Sequence, residues 1–381
     1  MKILLVSMNS IHFRRWSDQF RDAGHEVFWF DILDQGYAPS MSWMTQITGW
    51  KKGFLRKRGR SFLKNKLPKL YNALVHKYDN LVEDAFAKVL QEIQPDLVHS
   101  FALYVSCTPI LSVMNKNDVP WIYSSWGSDL FYYRNESDYL KDIESVLPRV
   151  NYMFADCKRD QQIANELGFN GTHLGVFPGG GGFDLSLFEK YKVPFEKRNI
   201  IAVKGNQNRS GRAVPVLKAL ESLSEELQDY KIVVFGAENP EVFHFQKSKD
   251  LDIQVLGLME YEDLIQLLST SSMYIGNSNS DGMPNTMLEA ICAGSFLIQS
   301  NPGGATAELI ENNENGLLIE NCEDVSHIKV QIKNAITNKQ LLQNAVDYNN
   351  SKVVPRLSRQ VVQDQVIKAY NSLGNEINRF N

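Results

Sequence analysis

The chain has 381 residues, 43% of them hydrophobic and 22% charged, with a formal net charge of -4. Domains run to about 100–200 residues, so this length accommodates two ordinary cores, and the slightly acidic balance excludes nucleic acid as a general partner of the surface. The four cysteines, Cys107, Cys157, Cys292 and Cys322, are widely spaced and contain no C-x-x-C pair, which predicts reduced core thiols rather than a disulfide framework.

Met1-Lys-Ile-Leu-Leu-Val-Ser enters a strand directly, with an apolar part too short for a signal peptide. No apolar run approaches the roughly 18 residues that a membrane span requires, so a cytoplasmic protein is expected. Ile3 to Val6 read as a buried strand; Phe13, Trp16 and Phe20, spaced i, i+3, i+7, predict a helix closed by Gly24, and Val27 to Phe30 a second strand. The loop Met8-Asn-Ser-Ile-His-Phe-Arg14-Arg15 follows the first strand, and Arg14 is a candidate for meeting an anionic acceptor. Between Asp34 and Asp79 there is no acidic residue, while Lys51 to Lys69 holds nine basic ones interleaved with aromatic and aliphatic side chains such as Trp50, Phe54 and Phe62. That mixture predicts an insertion over about 41–78 that docks on an anionic membrane surface through 41–70. A solvated insertion and a nucleic-acid contact are its alternatives.

Val82, Phe86, Val89, Leu90 and Ile93 form one face of a helix leading into Pro95-Asp-Leu-Val-His99, and Trp121-Ile-Tyr and Tyr152-Met-Phe-Ala read as later strands. Strands separated by helices imply an α/β fold with a doubly wound parallel sheet, which binds ligands at the carboxyl ends of its strands. A second alternation begins after Phe177-Pro-Gly-Gly-Gly-Gly-Phe-Asp184, with strands at Asn199 to Val203, Lys231 to Phe235, Ile253 to Leu256 and Met273 to Ile275. The expected organisation is two Rossmann-like domains, 1–182 and 183–355, joined at the glycine hinge, and a closing helix over 356–381 with Val362, Val366, Ala369 and Tyr370 on one face. Asp250-Leu-Asp252 reads as a surface turn, and no metal is expected.

The densest chemical signal is Asp281-Gly-Met-Pro-Asn-Thr-Met-Leu-Glu289-Ala, followed by Gly294, Pro302-Gly-Gly and Glu308. A strand, a glycine turn and a helix start present backbone N–H groups to an anion. Gly282, Met283, Pro284, Asn285 and Thr286 are therefore candidates for holding a phosphate. Asp281 and Glu289, on either side of the helix start, would reach hydroxyl groups flanking it, and a phosphate flanked by polyols describes a nucleotide sugar. The competing readings are a capping box, Thr286-x-x-Glu289, and an ordinary Asp-Gly turn.

The whole run resembles the Glu-x7-Glu motif of the family-four retaining glycosyltransferases, with Asp281 standing where that family has its first Glu. Val203-Lys-Gly205 takes the place of the family's V-G-R turn, Gly257 that of F-L-G, Asn277-Ser278 that of P-S, and Asn315-Gly316-Leu-Leu that of D-G-x-x-G-L-L. Pro95-Asp-Leu-Val-His99 matches P-D-x-x-H, and Trp126-Gly-Ser-Asp129 matches H-G-x-D with Trp for His. The resemblance implies two Rossmann-like domains facing a cleft (GT-B architecture), with the last helix crossing back to the first. It also implies transfer of a sugar from a nucleotide diphosphate sugar to an acceptor hydroxyl with retention.

Carried onto this chain, the resemblance gives Arg209 first and Arg212 second on the diphosphate, Gly205 and Gly257 beside the donor, Glu289 on the ribose and Asp281 on the sugar. His99, Trp126, Asp129 and Arg14 fall on the acceptor side, with Trp126 unable to act as a base. His99 as a core residue and Asp129 as a helix cap are the alternatives there. No cofactor is implied beyond the donor, for which UDP is favoured by frequency alone, and a glycan or lipid-linked acceptor at the inner membrane face is expected. A nucleotide-sugar epimerase and a non-catalytic binding subunit are the rival readings.

Overall fold

The computed structural model describes residues 1–51 and 82–380. The centre of the basic stretch, with Lys57, Arg58 and Arg60, lies outside the described residues. Two compact units partition the chain. The first comprises Met1–Ala155, Gln161–Gly175 and the chain from Val366 onward; the second comprises Asp156–Asp160 and Val176–Gln365.

In the first unit, β1 (Lys2–Ser7), β2 (Glu26–Asp31), β3 (Thr45–Ile47), β4 (Leu97–Phe101), β5 (Trp121–Ser124), β6 (Tyr152–Ala155) and β7 (Thr172–Val176) form a sheet of order β3-β2-β1-β4-β5-β6-β7. Side chains alternate across it with period two. Leu4, Val6, Val98, Tyr123 and Met153 enter one core. The opposite face is aromatic: Phe13, Trp16, Phe20, Phe101, Phe154 and Tyr370 surround His99, with ring centroids 4.0 Å apart for His99 and Phe101 and 4.7 Å for Phe20 and Tyr370. Tyr370 comes from the last helix, Arg359–Phe380. The helix expected to run to Gly24 instead ends early: Ile11–Ser17 is α-helical, capped by the Ser10 hydroxyl on the Phe13 N–H, and Asp18–Phe20 tightens to 3-10 geometry.

The insertion does not begin at 41. Thr45–Ile47 pair in parallel with Phe28–Phe30 as the edge strand β3. Two aromatic residues within the 41–70 stretch are used inside this unit: Trp43 lies under the Arg21 guanidinium at 5.4 Å, and Trp50 stacks on Phe30 at 5.3 Å while donating to the Asp31 carbonyl at 2.8 Å. Among the described residues no helix is long and apolar enough to cross a membrane.

In the second unit, β8 (Ile200–Lys204), β9 (Lys231–Phe235), β10 (Ile253–Val255), β11 (Ser271–Gly276), β12 (Phe296–Ser300) and β13 (Leu317–Ile319) form a sheet of order β10-β9-β8-β11-β12-β13. The β8–β9, β9–β10, β8–β11, β11–β12 and β12–β13 pairings are all parallel. One face, from Ile201, Val203, Val234 and Ile275, packs on the helices Ala213–Glu221 and Val325–Thr337; the other, with Ala202, Phe235, Tyr274 and Leu297, packs on Tyr261–Thr270 and Asn285–Cys292. Both units are therefore parallel α/β sheets. In each sheet the strand order reverses beside its first strand, at β1/β4 and at β8/β11, which is where such sheets bind ligands.

Candidate active site

At the β8/β11 switch point the second unit has a cavity of about 340 Å³, lined by residues from the β8 exit (Lys204, Asn206, Asn208, Arg209, Ser210, Gly211), from the β11 exit (Asn277, Ser278, Asp281) and by Gln299 of β12. The β8 exit turns sharply. The Gly205 N–H donates to the Phe235 carbonyl at 2.7 Å, and a Cβ on Gly205 would stand 2.9 Å from that same oxygen, so the close approach to β9 demands glycine. Beyond it, Asn208 Oδ1 accepts the N–H groups of Ser210 (3.0 Å) and Gly211 (2.9 Å), and the loop is stitched to the β11 exit by Arg212 N–H to Asn277 O and Asn279 N–H to Ser210 O, both 2.9 Å.

The two candidate clamp arginines separate here. Arg209 lines the cavity. Arg212 instead braces the loop: its Nη1 donates to the carbonyls of Asn208 (2.8 Å) and Gly211 (2.9 Å) and its Nε pairs with Glu323, leaving the side chain 18% exposed. Lys204 is the cation the motif comparison passed over. As the last residue of β8 it lines the cavity, and a basic residue ending a strand at a switch point was the available signal.

Asp281 lines the cavity and its Oδ1 accepts the Gly282 N–H at 3.1 Å. Gly282 rests on the Asp156 carboxylate, which also accepts the Met283 N–H at 3.3 Å, so any side chain at 282 would collide with it. The following helix is Asn285–Cys292 with Pro284, in extended conformation, at the N-cap and no side chain capping it. Pro284 is thus the cap. Thr286 lies inside the helix, so Thr286-x-x-Glu289 is not a capping box, and the first-turn N–H groups have no intrahelical acceptor. Glu289 sits in the second turn, 4% exposed. Its carboxylate and that of Asp281 act together on Tyr274, whose phenol is pushed well above its ordinary pKa, first by burial and then by these two charges.

Gly257 lies two residues beyond β10, itself two strands from the switch point, and its carbonyl accepts the Gly236 N–H at 2.9 Å; it does not line the cavity. Glu308 caps the helix Lys158–Glu166 by accepting the N–H groups of Lys158 (2.6 Å) and Arg159 (2.7 Å). Asp156, Cys157 and Asp160 offer ligand atoms within 4.8 Å of one another. Arg159 pairs with Asp160 at 2.7 Å in their midst, and burial raises the Cys157 thiol, which makes the group a poor cation cage.

In the first unit, the proposed acceptor-side residues turn largely inward. His99 is fully buried, with Nε2 2.8 Å from Ser124 Oγ and Nδ1 against the Tyr370 hydroxyl, and burial holds its pKa well below the usual value. Asp129 lies inside the short helix Ser128–Phe131, which no side chain caps, and accepts the Leu103 N–H (3.0 Å), the Trp126 N–H (2.9 Å) and the Tyr123 hydroxyl (2.6 Å), so it braces neighbouring segments and does not cap the helix that follows. Trp126 remains half-buried at the carboxyl end of β5, its ring 5.7 Å from His12, and Arg14 is exposed on the helix after β1.

Residues 188–353 match the family model described as glycosyl transferases group 1. Over 263 residues the chain is 26% identical to a GalNAc-alpha-(1->4)-GalNAc-alpha-(1->3)-diNAcBac-PP-undecaprenol alpha-1,4-N-acetyl-D-galactosaminyltransferase of Campylobacter jejuni, covering 67% of this chain and 69% of that one. Among solved structures it is similar to a sucrose-phosphate synthase from Thermosynechococcus elongatus (TM-score 0.73, 15% identity, 99% of this chain and 100% of that one). It is also similar to HepE of Anabaena in complex with UDP-glucose (TM-score 0.69, 13% identity, 98% and 100%). The family match thus falls on the second unit, and the likeness of the whole chain to these solved structures is one of fold.

Proposed function

We propose that the protein transfers a sugar from a UDP-linked donor to a hydroxyl of a lipid-linked glycan, with retention at the anomeric carbon and without a metal. The observation that carries this reading is the cavity at the β8/β11 switch point, whose lining combines Lys204 and Arg209 from the β8 exit with Asp281 from the β11 exit. Cations suit a diphosphate whose charge grows as it departs, and a carboxylate suits sugar hydroxyls. The uncapped start of the helix Asn285–Cys292 adds N–H groups and a favourable dipole end. Glu289 would hold the ribose. The lipid-linked acceptor is supported by the name of the Campylobacter relative, UDP by the UDP-glucose complex of HepE, and retention by the Asp281/Glu289 pairing of the family-four motif.

The test is incubation with a panel of nucleotide sugars, with and without extracted lipid-linked glycans, reading nucleoside diphosphate release and the product anomer by NMR. Acceptor-dependent release with the donor's own anomeric configuration is expected. Donor epimerised without acceptor would establish the rival chemistry, and an inverted product would refute retention.

A further inference from the structure

Beyond its cations and Asp281, the cavity is lined by two buried primary amides. Asn277, 4% exposed, follows β11, and its Nδ2 donates to the carbonyls of Arg212 (2.9 Å) and Cys322 (2.8 Å). Those two bonds fix the amide orientation, because an oxygen in that place would face two acceptors. Asn277 Oδ1 is thereby turned away from them, and it has no hydrogen-bond partner among the described residues. Gln299, 2% exposed, stands opposite Gly276 in the β11–β12 register; its Nε2 lies 3.3 Å from Ser300 Oγ, and its Oε1 is likewise unpartnered.

Tyr274 lies on the same face of β11 as Gly276, and its hydroxyl is a third unpartnered buried atom. Gly276 makes room for all of this: a Cβ there would stand 2.5 Å from the Tyr274 hydroxyl and would strike Gln299 Oε1. Native proteins leave few buried polar atoms unpaired, so two on the lining of one cavity, with a third on the adjoining strand face, point to a ligand that pairs them. A diphosphate cannot, since its oxygens are themselves acceptors. A sugar hydroxyl can, because it donates to an amide oxygen and accepts from a phenol, and an acetamido N–H can satisfy one amide oxygen.

We propose that Asn277 Oδ1 and Gln299 Oε1 form the subsite that reads the hydrogen-bond donors of the transferred sugar, with Tyr274 closing its floor, and so determine which nucleotide sugar is accepted. This rests on the donor reading given above. Gln299→Met keeps the side-chain length without an acceptor, and Gln299→Glu keeps an acceptor. Calorimetry with UDP alone and with the UDP-sugar that the wild type binds most tightly separates the roles. Gln299→Met should hold UDP within about twofold and lose about tenfold for the UDP-sugar, the value of one neutral hydrogen bond, while Gln299→Glu retains most of it. Independently of any variant, monodeoxy analogues of that UDP-sugar should show one position costing the wild type about tenfold. Equal losses for UDP and UDP-sugar, or none for either with every deoxy analogue binding normally, would overturn the subsite alone. A wild type that binds no nucleotide sugar would remove the donor reading, and this inference with it.

Discussion

Arg209 and Arg212 are three residues apart and carry the same charge, yet the structure gives them separable tasks. Arg212→Ala deletes two good hydrogen bonds to the carbonyls of Asn208 and Gly211 and a pairing with the exposed Glu323. The exposed pairing contributes little; the carbonyl bonds from a charged donor, largely replaced by water in the variant, set a loss of roughly 1–3 kcal/mol in the stability of this unit. For a unit of this size that lowers Tm by about 2–4 °C per kcal/mol. Arg209→Ala removes a cation from the cavity wall, and nucleoside diphosphate binding should fall by about 1.5–3 kcal/mol, or roughly 10- to 150-fold. Differential scanning fluorimetry and calorimetric titration on the two purified variants read both axes. The reasoning fails if Arg212→Ala loses diphosphate affinity with an unchanged Tm while Arg209→Ala binds as wild type does.

Asp281→Ala should abolish sugar transfer while sparing most of the affinity for the nucleotide, and Asp281→Glu should retain some activity; transfer by Asp281→Ala at the wild-type rate would end the paired-carboxylate account. Because His99 is held neutral in the fold, the unfolded chain takes up a proton below the ordinary value of 6.5 that the folded chain refuses, so stability falls as pH falls, by up to about 1.4 kcal/mol per pH unit from this group. Urea melts from pH 7 to 5 should show that slope in the wild type and a shallower one in His99→Gln; identical slopes would show that His99 is not the group responsible. Binding of the full chain to anionic vesicles should weaken with salt and drop by about 100-fold or more when Lys57, Arg58 and Arg60 become Glu, at about 1 kcal/mol per cation. Equal affinity for neutral vesicles would contradict an electrostatic dock.

The two-sheet fold was legible because its strands are period-two or continuously apolar runs separated by helical spacing, and such runs as Ile3–Val6 and Lys231–Phe235 leave little freedom of interpretation. What escaped were the short or polar-flanked strands. Thr45–Ile47 has one apolar residue in three and sits in a basic context, so local composition suggested an insertion; its strand identity comes from pairing with Phe28–Phe30, a long-range fact. Leu317–Ile319 is three residues long and hidden in a motif, and Phe296–Ser300 ends in the polar pair Gln299-Ser300.

The candidate site divides along the same line. Residues whose chemistry follows from backbone position, such as Gly205, Gly282 and Asp281, owe their placement to a local close approach or turn. Residues that act through partners distant in sequence do not. His99 carries a motif-like P-D-x-x-H, but whether its imidazole meets a ligand or a core depends on Tyr370, 271 positions away. Asn277 and Gln299 show the converse case. In sequence they are an amide following β11 and an amide within β12, and only the β11–β12 register and the Arg212 and Cys322 carbonyls bring both oxygens, unpaired among the described residues, beside one cavity. A backbone carbonyl that orients a side chain leaves no mark on composition. With the subsite proposed above, donor choice rests on the residues least visible to a motif, and Asp281→Glu should change rate more than it changes which sugar is bound.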